Sequence, residues 1–246
     1  MRLDKFLSTM GKATRTEAKK VIRAKTVTVN GCVAKSGDMQ IDPYNDEIVF
    51  LGEKIIYREF TYIMMNKPDG VVSATDDGKD KTVIDLLSNE IKTDNLFPCG
   101  RLDKNTLGLI LITDNGELAH ELLSPRSHVK KSYKFKAAEP ISDDDVIRFE
   151  KGVTLADGYI TKPAKIELFE SKDEGIITLD EGKYHQIKRM LGALNNKIIY
   201  LERITFGPLS LDETLERGEW RYLSDEEITL LKEHKSKIAE TKKWIL

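Results

Sequence analysis

The amino-acid sequence predicts an α+β protein in two domains: a small module of two helices and a hairpin, then a larger domain of mixed, mainly antiparallel strands and helices. Three observations carry the expectation. Thr14 followed by Glu17 is a capping-box pattern, and it opens a segment whose Ala18, Val21 and Ile22 recur at helical spacing. Apolar runs too short for helices recur along the chain, several closed by Asn-Gly or Asp-Gly turns. A chain of 246 residues with 40% hydrophobic and 33% charged side chains can also fill two ordinary cores.

The first domain is expected over 1–58. Thr26-Val27-Thr28-Val29 alternates as a strand and ends in the Asn30-Gly31 turn, and Ile48 to Leu51 is a second short strand. Residues 52–60 are polar around a small apolar centre and read as a linker.

The second domain is expected over 61–231. It opens with the buried strand Thr61 to Met65, stopped by Asn66-Lys67-Pro68-Asp69-Gly70. A polar loop over Ser73 to Lys81 leads to a short helix over Val83 to Leu87. Leu109-Ile110-Leu111-Ile112 is too short and too uniformly apolar for a solvated helix, so it reads as a strand buried on both faces. A helix over Asp114 to Leu123, a strand over Ser132 to Ala138 and a helix capped by Ser142 and running to about Lys151 follow. Strands at Ile176 to Leu179 and Trp220 to Leu223 flank a helix over Gln186 to Leu194, and another helix starts at Ser224. The tail, 232–246, reads as a marginal helix ending in Trp244-Ile245-Leu246.

A net charge of −2, from 39 basic and 41 acidic residues, says little about partners; the distribution says more. Residues 1–25 carry eight basic side chains against Asp4 and Glu17. Arg15, Lys19 and Arg23 fall at spacings of four, one stripe opposite the apolar face, as a helix laid on a phosphate backbone requires. A solvated helix face has the same pattern. Cys32 and Cys99 are far apart without a CxxC, which fits a reducing cytoplasm. No run approaches the roughly 18 apolar residues of a membrane span. His120, His128, His185 and His234 have no paired spacing, and nucleotide, dinucleotide, serine-esterase and zinc-peptidase motifs are missing, so neither a metal nor a cofactor is expected.

The chemistry is expected around Gly100-Arg101-Leu102-Asp103, just ahead of the core strand. Charges there are expensive unless paired, and a carboxylate beside an apolar wall suits catalysis, although turn formation and a surface ion pair are competing roles. Lys130 to Lys134 and Glu181 to Met190 are two further charged and aromatic stretches.

These stretches carry a resemblance. Arg2 to Leu7, the Thr-Arg-Thr-Glu-Ala helix and Val-Thr-Val-Asn-Gly look like an S4 domain, a small RNA-binding module. GRLDxxTxGLxLxTxxG at 100–116, NKPxG at 66–70, the Lys-x-Tyr strand at Tyr133 and YHQIKRM at 184–190 resemble the pseudouridine synthases, in the branch that joins an S4 domain to the catalytic domain and modifies ribosomal RNA. The resemblance implies that Asp103 is the nucleophile in a reaction that detaches uracil, turns it and rejoins it through C5. Attack on the sugar, attack on the ring and a glycal-like route all use that carboxylate. It further implies that Lys188 pairs with Asp103, Tyr133 stacks under the base, and Arg101 fills the gap left by a flipped uridine. Gln186 and Arg189 are expected to shape the same pocket. Arg2, Lys5, Arg15, Lys19, Lys20 and Arg23 are expected to hold the RNA backbone.

Within the branch, MRLDKF at the start, Ser-Ala-Thr-Asp-Asp at 73–77, Ser-Pro-Arg at 124–126, Thr-Lys-Pro-Ala at 161–164 and EGKYHQIKRM resemble members that modify one uridine of small-subunit ribosomal RNA. The expected partner is that RNA, free or in an assembly intermediate with ribosomal proteins, and the expected state a monomer. Competing readings are an enzyme of large-subunit RNA, a non-catalytic assembly factor, and an S4-containing methyltransferase. The last lacks a Gly-rich loop after a strand; the second would sit better with a loss at Asp103, Tyr133 or Lys188.

Overall fold

The computed structural model describes residues 1–87, 91, 95–124 and 127–243, of which 235–243 as backbone only. Pro125 and Arg126 of the Ser-Pro-Arg stretch, and Trp244-Ile245-Leu246, lie outside the described residues. The chain forms two compact units, Met1–Phe60 and one beginning at Thr61.

In the first unit, helices α1 (Leu3–Thr9) and α2 (Arg15–Arg23) pack on the four-stranded antiparallel sheet β2-β1-β3-β4. Its strands are β1 (Val27–Val29), β2 (Cys32–Val33), β3 (Ile48–Phe50) and β4 (Glu53–Ile55). The capping box forms as the sequence implies: the Thr14 hydroxyl accepts from the Glu17 amide at 3.2 Å, and the Glu17 carboxylate accepts from the Thr14 amide at 2.9 Å. Such a cap stabilises a helix by about 1 kcal/mol. Leu3, Phe6, Leu7, Ala18, Ile22, Val27, Ile48 and Ile55 make the core. Strand β4 lies inside the stretch expected to be linker. Its buried Ile55 pairs with Ile48, and Lys54 reaches Glu47 at 2.8 Å, so a largely polar stretch joins the sheet.

The second unit is built on a nine-stranded sheet, ordered β13-β5-β7-β11-β8-β10-β9, with β6 added to β7 and β12 to β11. Its elements in chain order are β5 (Tyr62–Lys67), β6 (Phe97–Cys99), β7 (Leu107–Thr113), α3 (Gly116–Leu123), β8 (Lys131–Ala137), α4 (Asp143–Lys151), β9 (Lys165–Leu168) and β10 (Glu174–Leu179). Then come α5 (Gln186–Ala193), β11 (Ile198–Phe206), β12 (Leu209–Ser210), β13 (Trp220–Tyr222) and α6 (Asp225–Lys243). Every pairing is antiparallel except β7 with β11.

Strand β11 has no counterpart among the expected elements, and two expected helical stretches take another form. Val83 to Leu87 is a turn, not a helix. The Val83 amide donates to the Val72 carbonyl, and Thr82 and Asp85 exchange side-chain and amide bonds, which closes one turn without continuing it. The helix starting at Asp225 runs unbroken through position 232, so the expected tail continues α6. Among the described residues no helix is long and apolar enough to cross a membrane.

Candidate active site

Strand β7 decides where the Gly100 to Asp103 segment sits. Its first residues run beside β11, where Gly108 adopts φ +95 and a Cβ would overlap the Arg203 carbonyl oxygen, so only glycine fits. Upstream of it the chain turns sharply, with the Thr106 amide donating to the Asp103 carbonyl at 3.0 Å.

The turn is held from behind by the end of β5 and the segment that follows it. Lys67 is fully buried, and its Nζ donates to the carbonyls of Pro68, Lys104 and Thr106, each at 3.0 Å. Burial lowers its ammonium to about 8, against the pull of Asp69 and Asp103 in the other direction. The Ser73 hydroxyl accepts from the Leu102 amide and donates to the Leu102 carbonyl, both at 3.0 Å. Four backbone groups on either side of Asp103 are therefore fixed by buried side chains.

The Asp103 carboxylate emerges half-buried. Lys188 Nζ donates to its Oδ2 at 2.7 Å and to Asn105 Oδ1 at 2.6 Å, and His185 Nε2 lies 3.3 Å from Oδ1. An ion pair this open adds at most about 1 kcal/mol to stability, so its effect is to aim the carboxylate. Tyr133, on β8, lies on the sheet face that also carries Leu179 and Leu201. Arg101, Asp103, Tyr133, Gln186 and Lys188 line one cleft of about 80 Å³. That is far below the roughly 300–1,000 Å³ of pockets for drug-sized ligands. A volume that small suits a single planar ring rather than a whole nucleotide.

Two expected pocket residues have other partners. Gln186 lines the cleft, but its amide is spent on the loop between β10 and α5: Nε2 donates to Glu181 at 2.6 Å and Oε1 accepts from the Lys183 amide at 2.9 Å. Arg189 is not among the cleft residues. One position beyond Lys188 on α5, it is rotated away by about 100° and pairs with Asp157 at 2.5 Å. Three residues escape sequence reasoning. Histidine spacing tests His185 only as a metal ligand, whereas its partner is a carboxylate on a distant loop; Asn105 and Lys67 sit inside recognised motifs, but their roles depend on contacts no spacing reveals. Among the described residues, no group of three His, Cys, Asp or Glu side chains is placed to hold a metal ion.

In the first unit Lys5, Arg15, Lys19, Lys20 and Arg23 are exposed. Arg2 and Asp4, with Lys5, Arg15 and Lys19, line a depression of about 320 Å³. A second depression adds Arg23 and Lys35; Lys20 lines neither. Arg2 is braced by Asp4, which accepts from its Nε at 3.0 Å and its Nη2 at 2.6 Å and whose own carboxyl is held low by that bond.

A sheet-borne cleft with a carboxylate, a lysine and a buried aromatic face, joined in one chain to a module with a basic surface, fits an enzyme that acts on RNA. Residues 61–193 match the RNA pseudouridylate synthase family and residues 1–48 the S4 domain. The chain is 46% identical to an uncharacterized RNA pseudouridine synthase of Bacillus subtilis, over 95% of this chain and 99% of that one. It is 43% identical to ribosomal small subunit pseudouridine synthase A of Vibrio cholerae, over 93% of this chain and 98% of that one. A crystal structure of a pseudouridylate synthase superposes with a TM-score of 0.66 at 39% identity, covering 94% and 99% of the two chains. The chain belongs to the pseudouridine synthase family and is an isomerase acting on RNA.

Proposed function

We propose that the enzyme converts one uridine of small-subunit ribosomal RNA to pseudouridine, with Asp103 as nucleophile. The observation that carries the reading is the Asp103 carboxylate, 2.7 Å from Lys188 in a cleft sized for a base. The similarity to small-subunit enzymes such as that of Vibrio cholerae supports the choice of RNA. The N1–C1′ bond breaks, the uracil turns in place on the Tyr133 ring, and C5 bonds to C1′; C5 gives up a proton and N1 gains one, so no redox partner enters. Lys188 aims the carboxylate. Arg101, exposed at the cleft, occupies the gap left by the flipped uridine at the usual cost of a few kcal/mol. The module over 1–58 binds phosphates through Arg2, Lys5, Arg15, Lys19, Lys20 and Arg23, the domain over 61–231 carries the reaction, and the protein acts as a cytoplasmic monomer on RNA or on an assembly intermediate.

Tritium release from small-subunit RNA made with 5-tritiated uridine, with and without bound ribosomal proteins, tests this directly. Release by wild type and none by Asp103→Asn supports both halves. Release from large-subunit RNA alone overturns the substrate, and undiminished release by Asp103→Asn overturns the nucleophile.

A further inference from the structure

Beside the cleft stands an aromatic pair whose outer ring the reaction does not use. Tyr184 is 76% exposed although one face of its ring is stacked on His185, with centroids 3.8 Å apart and planes 17° from parallel. So high an exposure leaves the opposite face in solvent. Neighbouring side chains on an extended chain point apart; here His185 has left-handed backbone geometry, φ 49 and ψ 33, and that brings the two rings together. The inner ring of the stack reaches the reacting carboxylate, since His185 Nε2 is 3.3 Å from Asp103. The residues on both sides of Tyr184, Lys183 and His185, line the cleft, while Tyr184 stays outside it.

The loop carrying the pair is tied down by side-chain hydrogen bonds. Glu181 accepts from the Tyr159 hydroxyl at 2.9 Å, from the Lys162 amide at 2.9 Å and from Gln186 Nε2 at 2.6 Å. Gln186 in turn accepts from the Lys183 amide, and the Lys183 ammonium lies 4.9 Å from the centre of the Tyr159 ring. An aromatic face that is already fixed loses little freedom when it binds.

We propose that the free face of Tyr184 is a subsite for an unpaired nucleobase flanking the flipped uridine, so that the RNA continues its stack over Tyr184 and His185 at the cleft edge. This rests on the uridine reaction at Asp103 proposed above. A base flipped into the cleft strips its neighbour of a stacking partner, and the outer Tyr184 ring replaces it. Stacking of this kind tolerates any base, so the subsite holds the strand without reading its sequence.

The test is a double-mutant cycle between protein and RNA. Tyr184→Ala is compared with wild type on RNA carrying a normal or an abasic nucleotide at each position within two of the target. Tritium release gives KM and kcat, and filter binding gives affinity. The expected result is about a tenfold rise in KM with kcat little changed, rescue by Tyr184→Phe, and no further loss when Tyr184→Ala meets the abasic RNA at one flanking position. Additive losses at every position, an unchanged KM, or an effect confined to kcat would overturn the subsite; the last would mean that Tyr184 serves only to hold His185. Active wild type with no coupling removes the subsite and leaves the reaction standing. Coupling in affinity without tritium release keeps the subsite and removes the reaction.

Discussion

On α2 of the first unit, Arg15, Lys19 and Arg23 stand exposed, while in the second unit Lys67 is fully buried and Lys188 shares a half-buried carboxylate with His185. The same residue types therefore obey different physics. Exposed cations interact with phosphate through water and salt, each contributing a small, nearly independent amount that ionic strength erases. A buried or half-buried cation acts by where it holds its partners, and the loss of a fully buried one leaves groups that water cannot reach. Substitutions in the first unit should change how tightly RNA is held; those in the second should change what happens to it, or whether the loop survives.

The largest difference is expected at Lys188. Lys188→Met removes the donor that aims Asp103 and should lower single-turnover rates by about 10²–10³-fold, in the range seen when one positioned donor is lost. RNA affinity by filter binding should stay within about twofold. A large drop in affinity with little change in rate would place Lys188 with the exposed cations.

Lys67 sharpens the comparison from the stability side. Lys67→Met leaves the carbonyls of Pro68, Lys104 and Thr106 without their donor, at roughly 1–3 kcal/mol for each buried group that water fails to reach. Denaturant melts should show a loss of about 3 kcal/mol, while Lys19→Met on the exposed helix face stays within about 0.5 kcal/mol. Equal losses at the two positions would erase the distinction between buried and exposed cations.

A smaller effect is expected when Arg15→Glu and Lys19→Glu are combined. RNA affinity should fall about tenfold in dilute salt, and the slope of log affinity against log salt should drop by about one for each phosphate that no longer meets a cation. At saturating RNA the turnover should be that of wild type. An unchanged salt slope would remove this helix from the RNA-binding surface.

How much is legible in the sequence follows the same division. Local rules are enough for α2, because its capping box and apolar spacing are complete within ten residues, and for β7, whose apolar run is continuous. Strand β11, the longest in the sheet, escapes them because the charged Arg203 takes an inward position in its alternation; its Nε donates to the Leu109 carbonyl on another strand and its guanidinium lies over the Phe206 ring. The cleft shows the same limit. Motif positions lead to Asp103, Tyr133, Lys188 and Arg101, which line one cleft, yet nothing local distinguishes Lys188, turned toward Asp103, from Arg189, turned toward Asp157. His185 and Lys67 act across the fold, on partners that chain distance hides.

The two cysteines carry the comparison to groups with no part in the reaction. Cys32 is exposed on β2 of the first unit, and Cys99 is buried at the end of β6, where burial pushes its thiol up to about 12. A thiol reagent at neutral pH should therefore modify Cys32 in the native protein and reach Cys99 only after denaturation. The raised value also fixes a sign. An unfolded Cys99 loses its proton near 9.0, while the folded one keeps it to about 12, so the native state binds more protons across that window and stability falls as pH rises through it. Lys67 and Lys131, both lowered to about 8 by burial, push the other way between there and 10.5, because their unfolded forms keep the proton longer. The wild-type melt alone mixes these effects, and the difference from Cys99→Ala separates them. That substitution should cost stability at neutral pH through the cavity it leaves, yet its deficit should shrink above pH 9, by at most about 1.4 kcal/mol per pH unit. A deficit independent of pH would mean that Cys99 is reached by water in the native state, and the contrast between buried and exposed thiols would fail with it.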